Sequence, residues 1–111
     1  MTSEGISLEG WDIVDGAAAE WVPWGGENGD ARAKVLTAAD GFTTVLIEAR
    51  PGYVGGPHLH AFPEFVYVLA GELRNQGLRM VAGDAYAAAA GSSHDDFATD
   101  TGATYVLTFK L

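Results

Sequence analysis

Glycine divides this chain into short segments. The 111 residues include 15 glycines but only 4 prolines, and from residue 31 onward the stretches between glycines are either wholly apolar or alternate between apolar and polar residues. Such a pattern predicts many short β-strands. The sequence shows no heptads, no repeat with a period of 20 to 50 residues, and no alternation of strand and helix patterns. We therefore predict an all-β fold in which antiparallel strands form a sandwich or a barrel.

Alternating faces can be assigned in two of the predicted strands. Side chains two residues apart lie on the same face of a strand, so Val45 and Ile47 share one face of the segment 42–50. Tyr105, Leu107 and Phe109 share a face of the last segment in the same way. The predicted strands are residues 31–37, 42–50, 52–71, 71–74, 83–90 and 102–111.

The first thirty residues have a different pattern. They contain Trp11, Trp21 and Trp24 and end in a glycine-rich stretch, but they show no clean period. We predict that residues 1–30 form an irregular arm and that residues 31–111 form a single domain. A tryptophan can bury ~200 Å², so we expect the arm to cover an edge or the mouth of that domain.

Charge and composition exclude several classes of function. Six Lys and Arg stand against 15 Asp and Glu, and the net charge of −9 repels phosphate backbones and anionic lipid. We therefore expect no nucleic-acid partner and no membrane partner. The chain has no cysteine and no run of eighteen apolar residues, and its N-terminus has no basic start, so we expect a cytoplasmic protein. Edge strands and an apolar arm predict a homodimer.

All three histidines lie where they could share a metal ion with a glutamate. His58 and His60 are two residues apart in a strand-like segment, and Glu64 would join their face if the chain stays extended through Pro63. His94 follows the segment 83–90, and an antiparallel return can bring it opposite the first pair. A buried carboxylate and buried imidazoles are costly without partners, and a divalent cation removes that cost. Three nitrogens and one oxygen suit iron, manganese, nickel, copper or zinc.

The spacing of this segment also matches a known family motif. Gly52, His58, His60, Glu64 and Gly71 fit G-x5-H-x-H-x3-E-x6-G without a gap. On this motif the chain resembles the cupin superfamily. The resemblance implies a single-domain antiparallel jelly-roll barrel that holds a metal near its mouth, and frequently a homodimer.

A second cupin motif is met in part. Gly83, Gly91 and His94 fit its glycine and histidine positions, whereas Ala89 stands where proline is usual. The two motifs together place all four metal-ligand positions, and the resemblance covers residues 31–111. The GSSH turn and the closing YVLTFKL are also similar to the cupin domains of ChrR-type anti-sigma factors and of acetylacetone-cleaving dioxygenases.

Several neighbouring side chains are candidates for further roles. Glu64 could coordinate the metal or act as a base, and the residue pattern leaves both roles open. Asp95 and Asp96 could orient the imidazole of His94, but we expect them to form a solvated acidic turn. The candidates for the wall of a substrate pocket are Tyr53, Phe62, Tyr86 and Phe97.

The function predicted from these features is that of a metal-dependent enzyme acting on a small organic molecule. With iron, the site could run a dioxygenase reaction. With zinc, nickel or manganese, polarisation of a carbonyl could support isomerase, cyclase or lyase chemistry. A non-catalytic cupin that senses a metal or a ligand is the alternative from another class.

Overall fold

The computed structural model describes residues 5–26 and 28–110. Within these residues the chain forms strands, turns and loops, and it contains no helix that is long and apolar enough to cross a membrane. The strands are β1 (Val22–Trp24), β2 (Ala31–Ala39), β3 (Phe42–Ala49), β4 (His58–Leu59), β5 (Glu64–Asn75), β6 (Leu78–Val81), β7 (Ala85–Ala88), β8 (Ser93–His94), β9 (Phe97–Ala98) and β10 (Ala103–Lys110).

The long strand β5 organises the sheet. The strand order is β1-β2-β3-β10-β5-β6, with β7 and β9 also paired to β5, and all of these pairings are antiparallel. The first half of β5 lies between β10 and β7, and its second half pairs with β6 and β9. The sheet curls into a half-barrel, which confirms the predicted all-β fold of antiparallel strands in a single domain.

The core lies on the inner face of β3, β10 and β5. Tyr105 of β10 is paired with Ile47 on one side and with Val68 on the other, and all three side chains are buried. The predicted alternation is confirmed, because Val45 and Ile47 are buried, whereas Leu46 between them is only partly covered. The cluster of buried apolar residues comprises Ala33, Val45, Ile47, Ala49, Tyr53, Val66, Val68, Leu73, Met80, Ala103, Tyr105 and Leu107.

Some strand boundaries differ from the sequence predictions. Residues 71–74 are not a separate strand but continue β5, and β6 was not predicted at all. The strand predicted for 83–90 is shorter, since β7 covers only Ala85–Ala88. β6 is only four residues long, and the alternation of Leu78, Arg79 and Met80 covers too few residues to predict a strand.

The N-terminal arm is less irregular than predicted. Its residues 22–24 form β1, which pairs with β2 at the edge of the sheet. Trp24 packs edge-on against Phe109 with 5.9 Å between ring centroids, and the guanidinium of Arg32 lies 4.1 Å from the ring of Trp21. Trp11 is 72% exposed, so the predicted covering role holds for Trp24 and not for Trp11. Residues 1–4 and Glu27 of the predicted arm, and Leu111 of the predicted domain, lie outside the described residues.

Candidate metal centre

Two short strands bring the histidines together. His58 of β4 is the register partner of His94 in β8, as the predicted antiparallel return requires. The backbone of His60 continues this contact, since its N–H donates to the carbonyl of Ser92 and its carbonyl accepts from the N–H of Gly91. This two-stranded sheet thus places all three imidazoles on one side of the half-barrel.

Glu64 reaches the cluster by a different route from the one predicted. The predicted route needs an extended chain through Pro63, but β4 ends at Leu59 and the chain bends at residues 61–62. Glu64 instead opens β5, the strand that runs through the core. The carboxylate therefore enters the site from the main sheet, and the imidazoles enter it from the two-stranded sheet.

The four predicted ligands form one compact cluster. One candidate ligand atom from each of His58, His60, Glu64 and His94 lies within 4.8 Å of the corresponding atoms of the others. The imidazole ring centroids are 4.6 to 4.8 Å apart. His60, Glu64 and His94 are buried, whereas His58 is exposed. Three of the four candidate ligands are thus shielded from solvent, and the cluster is accessible at His58.

A count of hydrogens fixes the tautomer of His60. The hydroxyl of Ser92 donates its single hydrogen to the carbonyl of Ala89 at 2.6 Å, so its oxygen accepts from Nδ1–H of His60 at 2.9 Å. In the neutral imidazole, Nε2 then carries a lone pair. This buried atom has no hydrogen-bond partner among the residues that the structure describes.

The lone pair of His60 lies beside a carboxylate oxygen. Nε2 of His60 is 3.3 Å from Oε2 of Glu64, with no hydrogen available between them in this tautomer. Two electron-rich atoms at this distance repel each other unless a cation sits close to both. The residues therefore fit a metal ion, and Ser92 fixes the orientation of His60 as partners of ligating histidines commonly do.

The other contacts of Glu64 hold it in its ionised form. Its Oε2 accepts the hydroxyl hydrogen of Tyr86 at 2.7 Å, and Nε2 of His94 also lies 2.7 Å away. Burial raises the pKa of Glu64, but the hydrogen bonds from His94 and Tyr86 outweigh it and bring the pKa below its usual value. Burial and the nearby Glu64 charge raise the pKa of Tyr86, so its phenol stays a donor.

A cavity of about 350 Å³ extends from the cluster into the half-barrel. Glu64, His94 and His58 form part of its wall, and a volume of this size is typical of sites for small molecules. Of the four pocket candidates, Tyr53, Tyr86 and Phe97 line the cavity. Phe62 does not, and the ammonium group of Lys110 lies 5.0 Å from its ring centroid instead.

Three residues at the site were not predicted from the sequence. Trp24 and Phe109 line the cavity although they are far from the motifs, and strand alternation alone does not tell which barrel wall they join. Ser92 lies in the GSSH turn, but its role depends on the tautomer of His60. The signal in the sequence was a small hydroxyl residue two positions before a candidate ligand histidine.

Asp95 and Asp96 point away from the candidate ligands. Asp96 forms an ion pair with Arg74 at 3.0 Å, and Asp95 contacts the side chain of Gln76. The side-chain oxygen of Gln76 accepts from the backbone N–H groups of both aspartates. The acidic turn is therefore an exposed, paired segment, and within the described chain neither aspartate donates to or accepts from His94.

Comparisons with known proteins agree with this geometry. The family model described as ChrR Cupin-like domain matches residues 10–110. The structure is similar to an RmlC-like cupin from Shewanella frigidimarina (24% identity, TM-score 0.75, 88% of each chain covered). It is also similar to a putative acetylacetone dioxygenase from Methylibium petroleiphilum (17% identity, TM-score 0.79, 99% of this chain and 81% of that chain). A third similar structure is Rhodobacter sphaeroides SigE in complex with the anti-sigma ChrR (21% identity, TM-score 0.70, 85% and 50%). No curated protein matches the sequence.

Proposed function

Because this chain belongs to the ChrR cupin-like domain family, we propose that it is a metal-dependent enzyme acting on a small organic molecule. One divalent ion would be held by His58, His60, Glu64 and His94. The observation that carries the proposal is the buried Nε2 atom of His60, which has no hydrogen-bond partner among the described residues and lies 3.3 Å from a carboxylate oxygen of Glu64 at the wall of the cavity. A metal at this place would meet any ligand that fills the cavity.

The residues around the ion would have separate tasks. A bound divalent metal supplies Lewis-acid or redox chemistry, depending on its identity. Ser92 would hold His60 in the tautomer that ligation needs. The carboxylate of Glu64 lies at the cavity wall, so we propose that Glu64 accepts or returns a proton of the substrate when it is not bound to the metal, while the hydroxyl of Tyr86 keeps the carboxylate in place.

The reaction type depends on the metal. With ferrous iron we propose a dioxygenase reaction, and the likeness to the putative acetylacetone dioxygenase supports this choice. With zinc, nickel or manganese, the same ligands would support isomerisation, cyclisation or lyase chemistry. The two classes differ in whether oxygen is consumed, which makes them separable by experiment.

A sensor function is the second candidate. The family takes its description from ChrR, and one similar structure contains the anti-sigma ChrR bound to SigE. A sensing cupin would bind metal or ligand without turnover and would transmit a change to another protein. The enzyme proposal predicts turnover with a suitable substrate, and the sensor proposal predicts none.

The test is metal analysis followed by oxygen uptake. Protein purified without oxygen should contain close to one divalent ion per chain, and the iron-loaded form should consume oxygen with a member of a β-diketone and catechol panel. His58→Ala should lose most of the metal. Leu59→Ala is the matched control, because Leu59 lies between the two histidines but is 70% exposed and contributes no ligand.

The outcomes separate the alternatives. Equal metal content in wild type and His58→Ala would refute the metal site. Bound iron without oxygen uptake on the whole panel would contradict the dioxygenase reaction and leave the non-redox enzyme and the sensor.

A further inference from the structure

We propose that the cavity selects a small ligand with a singly charged chelating end and a flat apolar body, and that it rejects dicarboxylates and phosphorylated compounds. This inference rests on the metal site proposed above. It is carried by three features of the cavity: the absence of cationic side chains from its wall, the charge of the ligand cluster, and the aromatic side chains that line the rest of the wall.

No lysine or arginine lines the cavity. The structure describes all six Lys and Arg residues of the chain, and five of them interact with groups outside the cavity. Arg32, Arg74 and Arg79 pair with carboxylates, Lys34 donates to a backbone carbonyl, and Lys110 lies against two phenylalanine rings. A phosphate or a second carboxylate would therefore enter without a cationic partner, in a chain whose net charge is −9. Burying such a charge unpaired is strongly unfavourable.

The charge of the cluster sets the charge of the ligand. Ligating imidazoles are neutral and a ligating carboxylate carries one negative charge. A divalent ion and its four ligands would together carry one net positive charge. A bidentate ligand that binds as a monoanion leaves the complex neutral, whereas a dianion leaves an uncompensated negative charge among apolar walls. Neutral complexes are favoured in a cavity of low polarity.

The wall of the cavity is largely apolar. Away from the cluster it includes Trp24 and Phe109, together with the register pair Val66 of β5 and Leu107 of β10, and the ring of Phe97 lines the cavity beside His94 at 5.1 Å between ring centroids. Two of the three tyrosines that line the cavity already donate their hydroxyl hydrogen to another group of the protein. Tyr53 donates to the carbonyl of Gly25 at 2.8 Å, and Tyr86 donates to Glu64. Tyr105 also lines the cavity. Apart from its hydroxyl, the polar side-chain contacts available to a ligand are concentrated at the metal end, and flat apolar groups match the remaining surface.

Three chelators test the inference on zinc-loaded protein. Acetohydroxamate and benzohydroxamate bind metal through the same monoanionic oxygen pair and differ in a methyl against a phenyl group. Oxalate is a bidentate oxygen chelator with two charges and no apolar body. We expect benzohydroxamate to bind about 10 to 100 times more tightly than acetohydroxamate, because its ring would be buried against the aromatic wall. Oxalate should bind more weakly than either compound.

The measurement is titration calorimetry, with zinc retained by the protein checked after ultrafiltration. Phe109→Ala should reduce the preference for the phenyl group severalfold without loss of zinc. Phe62→Ala is the matched control, since Phe62 is an aromatic residue outside the cavity, and it should keep the full preference.

Failure of the inference is distinguishable from failure of the metal site. If the protein does not retain zinc, the proposed metal site is wrong, and so is the ligand class proposed for the cavity. If zinc is retained but oxalate binds as tightly as benzohydroxamate, or the two hydroxamates bind equally, the ligand class is wrong and the metal site stands.

Discussion

Metal binding should stabilise the fold without being required for it. The core of β3, β5 and β10 is made of apolar residues such as Ile47, Val68 and Leu73, and it does not include the ligand cluster. The chain should therefore fold without metal, unlike a zinc finger, whose metal supplies its folding energy. An ion would remove the repulsion between His60 Nε2 and the carboxylate of Glu64, which are both buried.

The size of the effect follows from mass action. Free metal at a thousand times its dissociation constant stabilises the native state by about 4 kcal/mol. For a domain near this size, that free energy raises the melting temperature by roughly 15 to 30 °C. Thermal unfolding followed by circular dichroism, with zinc and with a chelator, measures the shift directly.

His58→Ala is the informative variant. His58 is exposed, so its removal opens no cavity in the core, and the metal-free variant should melt close to metal-free wild type. With zinc, the variant should gain only a few degrees, whereas Leu59→Ala should keep the full shift. Equal shifts in wild type and His58→Ala, or a metal-free wild type that is unfolded at 25 °C, would refute this reasoning.

Three further predictions test other parts of the structure. Ser92→Ala removes the acceptor of His60 Nδ1–H and should weaken zinc binding about 10- to 100-fold in a competition titration, while Ser93→Ala, at an exposed neighbour, should bind as wild type does. Gly71→Ala combines a φ of +77° with a Cβ that would overlap the backbone of β10 and its preceding turn. In denaturant titrations it should cost several kcal/mol, against about 1 kcal/mol for Gly77→Ala, which has a φ of +76° and open space around it. We also propose a homodimer, because the edge strand β1 and the exposed aromatic side chains of β5 remain uncovered in the single chain, and a light-scattering mass near 11.6 kDa at micromolar concentration would contradict it.

The sequence alone was sufficient to predict the all-β class and the four residues of the cluster. Strand faces follow from a period of two, which a short stretch such as β3 displays by itself, and burial of Val45 and Ile47 agrees with it. The positions of His58, His60, Glu64 and His94 follow from the spacing of two motifs. In both cases the information is local, because it lies within one or two neighbouring segments.

Only the tertiary structure determined how these residues are arranged and what surrounds them. The chain bends after β4, so Glu64 joins the imidazoles from a different sheet. The hydroxyl of Ser92 fixes the tautomer of His60, and Trp24 reaches the cavity from the arm. Each of these features depends on contacts between segments distant in sequence, whose positions are set by strand pairing and packing. The absence of cations from the cavity wall has the same origin, since the pairing of strands decides which side chains face inward.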